Sequence, residues 1–390
     1  MRDPFKKAKR MEILPPYLFD EVVRLKNEAI ARGKNLIDLG VGDPDFSSPP
    51  HVVEVLKSAV DDGRNHHYSS YRGMTELREA FAQWYSTRFG VTLDPETEVL
   101  PLIGSKEGVG HIHLAFVEPG DAVLIPDPGY PTYQGGTILA GGELMFMPLH
   151  RENDFIPDLK SLEKMDLSRV RLMHLNFPGN PTGAVATLEF FKEAVAFGHR
   201  HSIIICHDAA YSEIYYDDNP PPSFLQMEGA KEIGIEFHSL SKTYNMTGWR
   251  LGVAVGNREV ISALGSVKSN YDVGIFPAIQ LAGIAALTGD QGWLDTMRQR
   301  YQRRRDVFVE GLNGIGFTIP KPKGSFYVWS PIPTNESSTE FTARLLDKPG
   351  VVVTPGIGFG KYGEGYFRVA LTVPETQLQE AIERIRKFTF

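Results

Sequence analysis

Cysteine is almost absent. Cys206 stands alone in 390 residues, which excludes an intrachain disulfide, a CxxC pair and a cysteine-based zinc site. This fits a reducing compartment. A surplus of positive charge is missing too. The 41 Lys and Arg face 48 Asp and Glu, a formal net charge of −7 at pH 7, which argues against general nucleic-acid binding. Long hydrophobic runs are also missing. The longest apolar stretch, Val273–Leu287, contains Pro277 and Gln280 and falls short of the roughly 20 residues needed to span a membrane. The N-terminus is basic (Arg2, Lys6, Lys7, Lys9, Arg10), but Glu12, Pro15 and Pro16 follow where a signal peptide needs an apolar core. The expectation is a cytoplasmic protein whose partners include neither membrane nor nucleic acid.

Several catalytic signatures are absent as well. The chain has no Walker P-loop, HExxH or GxSxG. Gly358–Gly363 satisfies GxGxxG, but a strand-like stretch, YFRVAL, follows where a dinucleotide site needs a helix. It reads instead as a glycine-rich loop beside a pocket. His111 and His113 are two apart on an expected helix, face different ways and read as packing residues, so no metal site is expected. What is abundant is glycine, 38 residues, and proline, 27, an excess that implies many turns and a loop-built site.

Apolar runs alternate with amphipathic segments. Strands are expected at Glu98–Ile103, Ala122–Pro126, Glu143–Met147, Arg171–Asn176, Ile203–Asp208, Ile235–Leu240 and Leu251–Val255, with helices such as Thr75–Phe89 between them. Continuous apolar strands alternating with helices imply an α/β fold with a mostly parallel central sheet covered on both faces. The last hundred residues read as a smaller α+β unit. Helices are expected at Trp293–Leu312 and Glu375–Lys387, and strands at Ser325–Trp329, Val351–Thr354 and Tyr366–Leu371. The N-terminal stretch through Leu36–Leu39 is expected to join them. The expected division is a large domain over 46–285 and a small domain made of 1–45 with 286–390.

Five polar residues stand at or just beyond strand ends, where ligands bind in open α/β sheets: Asn180 in NFPGNPTG, Asp208 and Tyr211 in HDAAY, and Lys242 and Arg250 in SLSKTYNMTGWRLG. The ordered set of these segments with YFRVAL resembles the class I/II, fold-type I aminotransferases, over about residues 36–371. The resemblance implies pyridoxal 5′-phosphate as cofactor, a large cofactor-binding domain and a small domain, and a homodimer with shared active sites.

Roles follow from the resemblance and from the chemistry of the cofactor. Lys242 would condense with the cofactor aldehyde, which requires a primary amine, and later move the substrate Cα proton. Asp208 would pair with the protonated pyridine nitrogen, and Asn180 and Tyr211 would bind the phenolic oxygen. Gly104-Ser105-Lys106 opens a helix after a strand, which suits a phosphate. Ser105, Ser239, Ser241 and Arg250 would add side-chain donors. Tyr130 would stack on the ring, and Tyr68 would reach the phosphate of the neighbouring subunit. Arg368 matches the arginine that holds the substrate α-carboxylate, and Gly42 would let the backbone approach that group.

The implied reaction moves an amino group between an amino acid and a 2-oxo acid. The stretch from Tyr68 to Glu143 and the LPPYLF segment are most similar to the LL-diaminopimelate aminotransferases. Those act on LL-2,6-diaminopimelate and 2-oxoglutarate on the route to lysine. By that likeness Tyr17, Lys106 and Asn270, with Tyr130 and Asn180, would border the substrate. No arginine occurs between Glu259 and Met297, where aspartate-specific relatives often present one, which agrees. An aspartate, alanine or aromatic aminotransferase, and a C–S lyase of the same fold, remain the alternatives. A non-catalytic amino-acid sensor would carry a fused DNA-binding segment, for which the first 35 or so residues leave no room.

Overall fold

The computed structural model describes residues 5–15 and 18–388. Strand β1 (Ile37–Asp38) comes first. β2 (Val99–Leu102), β3 (Ala122–Asp127), β4 (Glu143–Pro148), β5 (Val170–Asn176), β6 (Ile204–Asp208), β7 (Gly234–Ser239) and β8 (Gly252–Gly256) follow and form one sheet. Its order is β2-β8-β7-β6-β5-β3-β4. β8 runs antiparallel to both neighbours, and the other pairings are parallel. These are the strands expected from the apolar runs, with their ends moved by a residue or so.

The runs are continuous because both faces are covered. Ala122 and Leu124 of β3 pack into one core, while Val123 and Ile125 pack into the other. β8 divides the same way, Val253 and Val255 against Ala254. Edge strand β4 is the exception, with Glu143 exposed.

Register determines what meets at the carboxyl end. Asn176 of β5 pairs with Asp208 of β6, and Ser239 of β7 pairs with Gly252 of β8. Leu102, the last residue of β2, also pairs with Gly252. The segments after β2 and before β8 therefore open onto the same end as Asn176, Asp208 and Ser239.

β9 (Tyr327–Pro331), β10 (Val351–Val352), β11 (Thr354–Pro355) and β12 (Tyr366–Ala370) complete the set. β12 lies antiparallel between β11 and β9, and β1 pairs parallel with β10. Ala370 N donates to Leu39 O at 2.7 Å. The expected strand at Val351–Thr354 is thus two short strands that serve different sheets. The expected strand from Ser325 starts later. Ser325 sits at φ +57°, its N–H donates to Ile214 O at 2.8 Å, and its Oγ accepts Tyr327 N, so the first residues form a turn.

The helices at Thr75–Phe89, Gly292–Asn313 and Glu375–Arg386 agree with the sequence pattern. Among the described residues no helix is long and apolar enough to cross a membrane. The glycine-rich loop closes over Asp127, whose carboxylate accepts Lys361 N (3.1 Å) and Tyr362 N (3.0 Å), and its Phe359 ring lies 4.7 Å from the Arg368 guanidinium carbon.

Candidate active site

A cavity of about 270 Å³ opens at the carboxyl end of the sheet. It gathers Gly42, Ser105, Lys106, Tyr130, Asn180, Asp208, Tyr211, Ser239, Ser241, Lys242, Arg250 and Arg368, drawn from segments more than 300 residues apart in the chain. Three expected residues are not among its lining. Tyr68 is 89% exposed at the surface. Asn270 lies near the end of the helix Arg258–Tyr271, where its amide donates to Ser266 O at 2.8 Å. Tyr17 lies outside the described residues.

Lys242 stands in the short helix Leu240–Thr243 directly after β7. Its Nζ donates to Gly42 O at 3.0 Å. Burial lowers its pKa to about 8; Asp43 opposes the shift, and Arg250 and Arg368 add to it. An amine so placed is partly neutral near pH 7, as a nucleophile or proton carrier must be.

Asp208 ends β6 and is buried. Its Oδ2 accepts the Tyr133 hydroxyl at 2.9 Å, while Oδ1 has no hydrogen-bond partner among the described residues. Burial pushes its carboxyl up, and the Tyr133 bond offsets part of the rise. An orphaned buried carboxylate oxygen costs free energy unless a donor meets it. A protonated ring nitrogen is such a donor.

Anion-binding groups cluster beside it. The helix Ser105–Phe116 begins at the cavity, with Gly104 as its N-cap at φ +72°. A side chain on Gly104 would meet Arg250 Nη2 at 2.1 Å, so glycine is what lets the guanidinium lie against the helix start. Arg250 Nη1 donates to Thr247 O (2.7 Å) and Ser241 Oγ (3.3 Å). A helix N-terminus, an arginine fork and the buried hydroxyls of Ser239 and Ser241 make a donor set fit for a phosphate dianion. Together with Lys242 and Asp208, the residues present fit pyridoxal 5′-phosphate.

Arg368, on β12, is fully buried. Its Nη1 donates to Asn180 Oδ1 and its Nη2 to Gly40 O, both at 2.8 Å. Asn180 is held in turn, its N–H donating to Asn176 Oδ1 at 2.7 Å. Tyr211 is buried, which keeps its hydroxyl protonated well above the usual range.

Sequence reasoning missed Tyr133 and Tyr327. Tyr133 lies three residues after Tyr130, on the same face of the first turn of the helix Pro131–Ala140, a spacing that could have pointed to it. Tyr327 lines the cavity from β9, but in the sequence it sits in an apolar strand and carries no signal. His113 packs, as expected, stacked on His174 with ring centroids 4.8 Å apart, and burial drops its pKa to about 4.

Behind the sheet end lies a second polar cluster. The buried carboxylate of Glu236 accepts His207 Nδ1 (2.8 Å), Tyr85 Oη (2.9 Å), Ser223 Oγ (2.9 Å) and Phe224 N (3.0 Å). Burial alone would raise this carboxyl, but His207, Ser223 and Tyr85 outweigh it and hold it below the ordinary value.

The sequence profile of "Aminotransferase class I and II" matches residues 34–385. An LL-diaminopimelate aminotransferase of Moorella thermoacetica is 54% identical over 380 residues, 97% of each chain. One of Aquifex aeolicus is 51% identical, over 98% of this chain and 99% of its own. Among solved structures, substrate-bound BacF from Bacillus subtilis superposes with a TM-score of 0.94 at 40% identity, covering 98% of this chain and 97% of that one. A mutant aspartate aminotransferase of Thermus thermophilus gives 0.93 at 30% identity, covering 99% and 100%. The chain belongs to the class I and II aminotransferases, pyridoxal-phosphate-dependent enzymes of fold type I.

Proposed function

We propose that the chain transfers the amino group of LL-2,6-diaminopimelate to 2-oxoglutarate, giving glutamate and, after ring closure, tetrahydrodipicolinate. The observation that carries the substrate is the near-full-length identity, about half of all positions, to relatives of that name. The cavity supports a substrate with two carboxylates, because Arg368 and Lys106 both line it beyond what Arg250 offers a phosphate.

Arg368 takes the α-carboxylate with its planar fork, which Asn180 and Gly40 hold in place. Lys106 suits a distal carboxylate. When bound, the cofactor supplies an aldehyde that takes up the amino nitrogen and a ring that draws electron density from Cα. Asp208 Oδ1 would accept a hydrogen bond from the proton-bearing ring nitrogen. Tyr211 and Asn180 would hold the phenolic oxygen, and Ser105, Ser239, Ser241 and Arg250 the phosphate. Tyr130 would pack against the ring. Lys242 would carry the proton taken from Cα, which suits a base of pKa about 8. Gly42 leaves its backbone open to the carboxylate.

Tyr68 and Asn270, which one chain leaves outside the cavity, would serve the site of a second copy, as in a homodimer with shared active sites. Tyr17 would border the substrate. A large domain of 46–285, and a small domain of 1–45 with 286–390, are the corresponding division. The setting is the cytoplasm.

A panel of amino donors with 2-oxoglutarate tests the substrate. LL-diaminopimelate should form glutamate faster than alanine, aspartate or phenylalanine. Faster turnover of aspartate or alanine would reject the substrate and leave the family standing. Purified protein should also carry a visible absorbance that Lys242→Ala abolishes; an unchanged band in that variant removes Lys242 from its role.

A further inference from the structure

We propose that Tyr327 is a positioning residue that acts on two groups at once, Arg368 through its ring and Tyr211 through its hydroxyl. This rests on the roles given above to those two residues.

The ring comes first. In the β9–β12 register Arg368 stands opposite Trp329, so Tyr327, two residues from Trp329, is its diagonal neighbour on the same sheet face. The Arg368 guanidinium carbon lies 4.1 Å from the Tyr327 ring centroid and 4.7 Å from that of Phe359. Two aromatic rings therefore border the guanidinium. Its hydrogen bonds to Asn180 and Gly40 fix two of its nitrogens, and the rings set the tilt of its plane. A fork that must meet a carboxylate with both arms depends on that tilt.

The hydroxyl comes second. Tyr327 Oη lies 3.4 Å from Tyr211 Oη, a long contact in the ligand-free site. A side chain on Gly42 would place its Cβ 2.0 Å from Tyr327 Oη, so the hydroxyl is closed in against that backbone. Tyr211 has one proton. If it donates that proton to the ring oxygen in the cavity, its own oxygen is left to accept one. The Tyr327 hydroxyl is the neighbour placed to supply it. A donor chain of this kind strengthens each member, and contacts that are long without ligand tighten when it binds. Through Tyr211, Tyr327 withdraws charge from the phenolic oxygen and lowers the pH at which the bound cofactor titrates.

The two actions separate by substitution. In the Tyr327→Phe holoenzyme the ring remains, so affinity for a simple carboxylic acid, read by spectral titration, should stay within about twofold of wild type. The pH midpoint of its visible band should rise by about half a unit, the size expected from losing one modest hydrogen bond. In Tyr327→Leu the stack is lost, and carboxylate affinity should fall about tenfold. Tyr327→Met serves the same purpose where the leucine variant loses its fold. A midpoint unchanged in Tyr327→Phe overturns the hydroxyl's role, and unchanged carboxylate binding in Tyr327→Leu or Tyr327→Met overturns the ring's. A wild-type protein with no cofactor band at all would instead overturn the reading of the site on which both depend.

Discussion

Lys242 is an amine held at a pKa of about 8 chiefly by burial when no cofactor is bound to it. An ordinary lysine titrates near 10.5, and the unfolded chain has such a lysine. Between these two values the unfolded state binds more protons than the folded one, so stability rises with pH through this window. The cost of the folded apoenzyme's charged amine is fully present below pH 8 and fades as pH climbs toward 10.5. It amounts to about 3 kcal/mol at pH 7 and about 1.4 kcal/mol at pH 9.5, at 1.36 kcal/mol per pKa unit. Lys242→Met removes the titrating group and keeps most of the volume. It also loses the bond from Nζ to Gly42 O, worth about 1 kcal/mol, but equally at both pH values. Urea unfolding of the two apoproteins at one fixed concentration should therefore show the methionine variant ahead at pH 7 by about 2 kcal/mol, and that lead should shrink by about 2 kcal/mol at pH 9.5. A difference that does not change with pH would refute the reasoning, whatever its sign, because it would mean that Lys242 keeps an ordinary pKa in the fold.

Two further perturbations probe other parts of the molecule. Arg368→Lys keeps the charge but loses the planar fork, so kcat/KM should fall about 100-fold for the amino donor and for the oxo acid alike; a loss under threefold would mean that charge alone is read. Glu236→Ala strands the donors of His207, Tyr85, Ser223 and Phe224 in a buried site, and should cost about 3–5 kcal/mol in urea unfolding, against under 1 kcal/mol if the cluster were idle. Because the Glu236 carboxyl is held below its ordinary value, its contribution should be full at neutral pH and fade as pH falls from that ordinary value through the lowered one.

The central sheet was legible because its strands are mostly apolar and short, and the polar residues of the candidate site end or closely follow them: Asp208 ends β6, and Lys242 stands three residues after Ser239, the last of β7. What the sequence hid is contact made across long separations. Tyr327 reads as core because it is buried in an apolar strand, and only the fold brings Gly42, Tyr211 and Arg368 to it. The loop at Gly358–Gly363 was legible only in part: its glycines signal close backbone approach, but the pattern does not say that the partner is the Asp127 carboxylate, from a strand more than 200 residues earlier. Tyr68 and Asn270 were named from likeness alone, and a single chain leaves both away from the cavity.

The solitary Cys206 has a practical consequence. It sits fully buried in the middle of β6, and burial pushes its thiol far above the usual range, so it is poorly reactive while the fold holds. The native protein is thus already a blank background for thiol-directed probes. A cysteine introduced at an exposed position with no assigned role, such as Met165, would be the single reactive thiol of each chain, and a pair of spin labels there would report the distance between two copies without any prior removal of native cysteines.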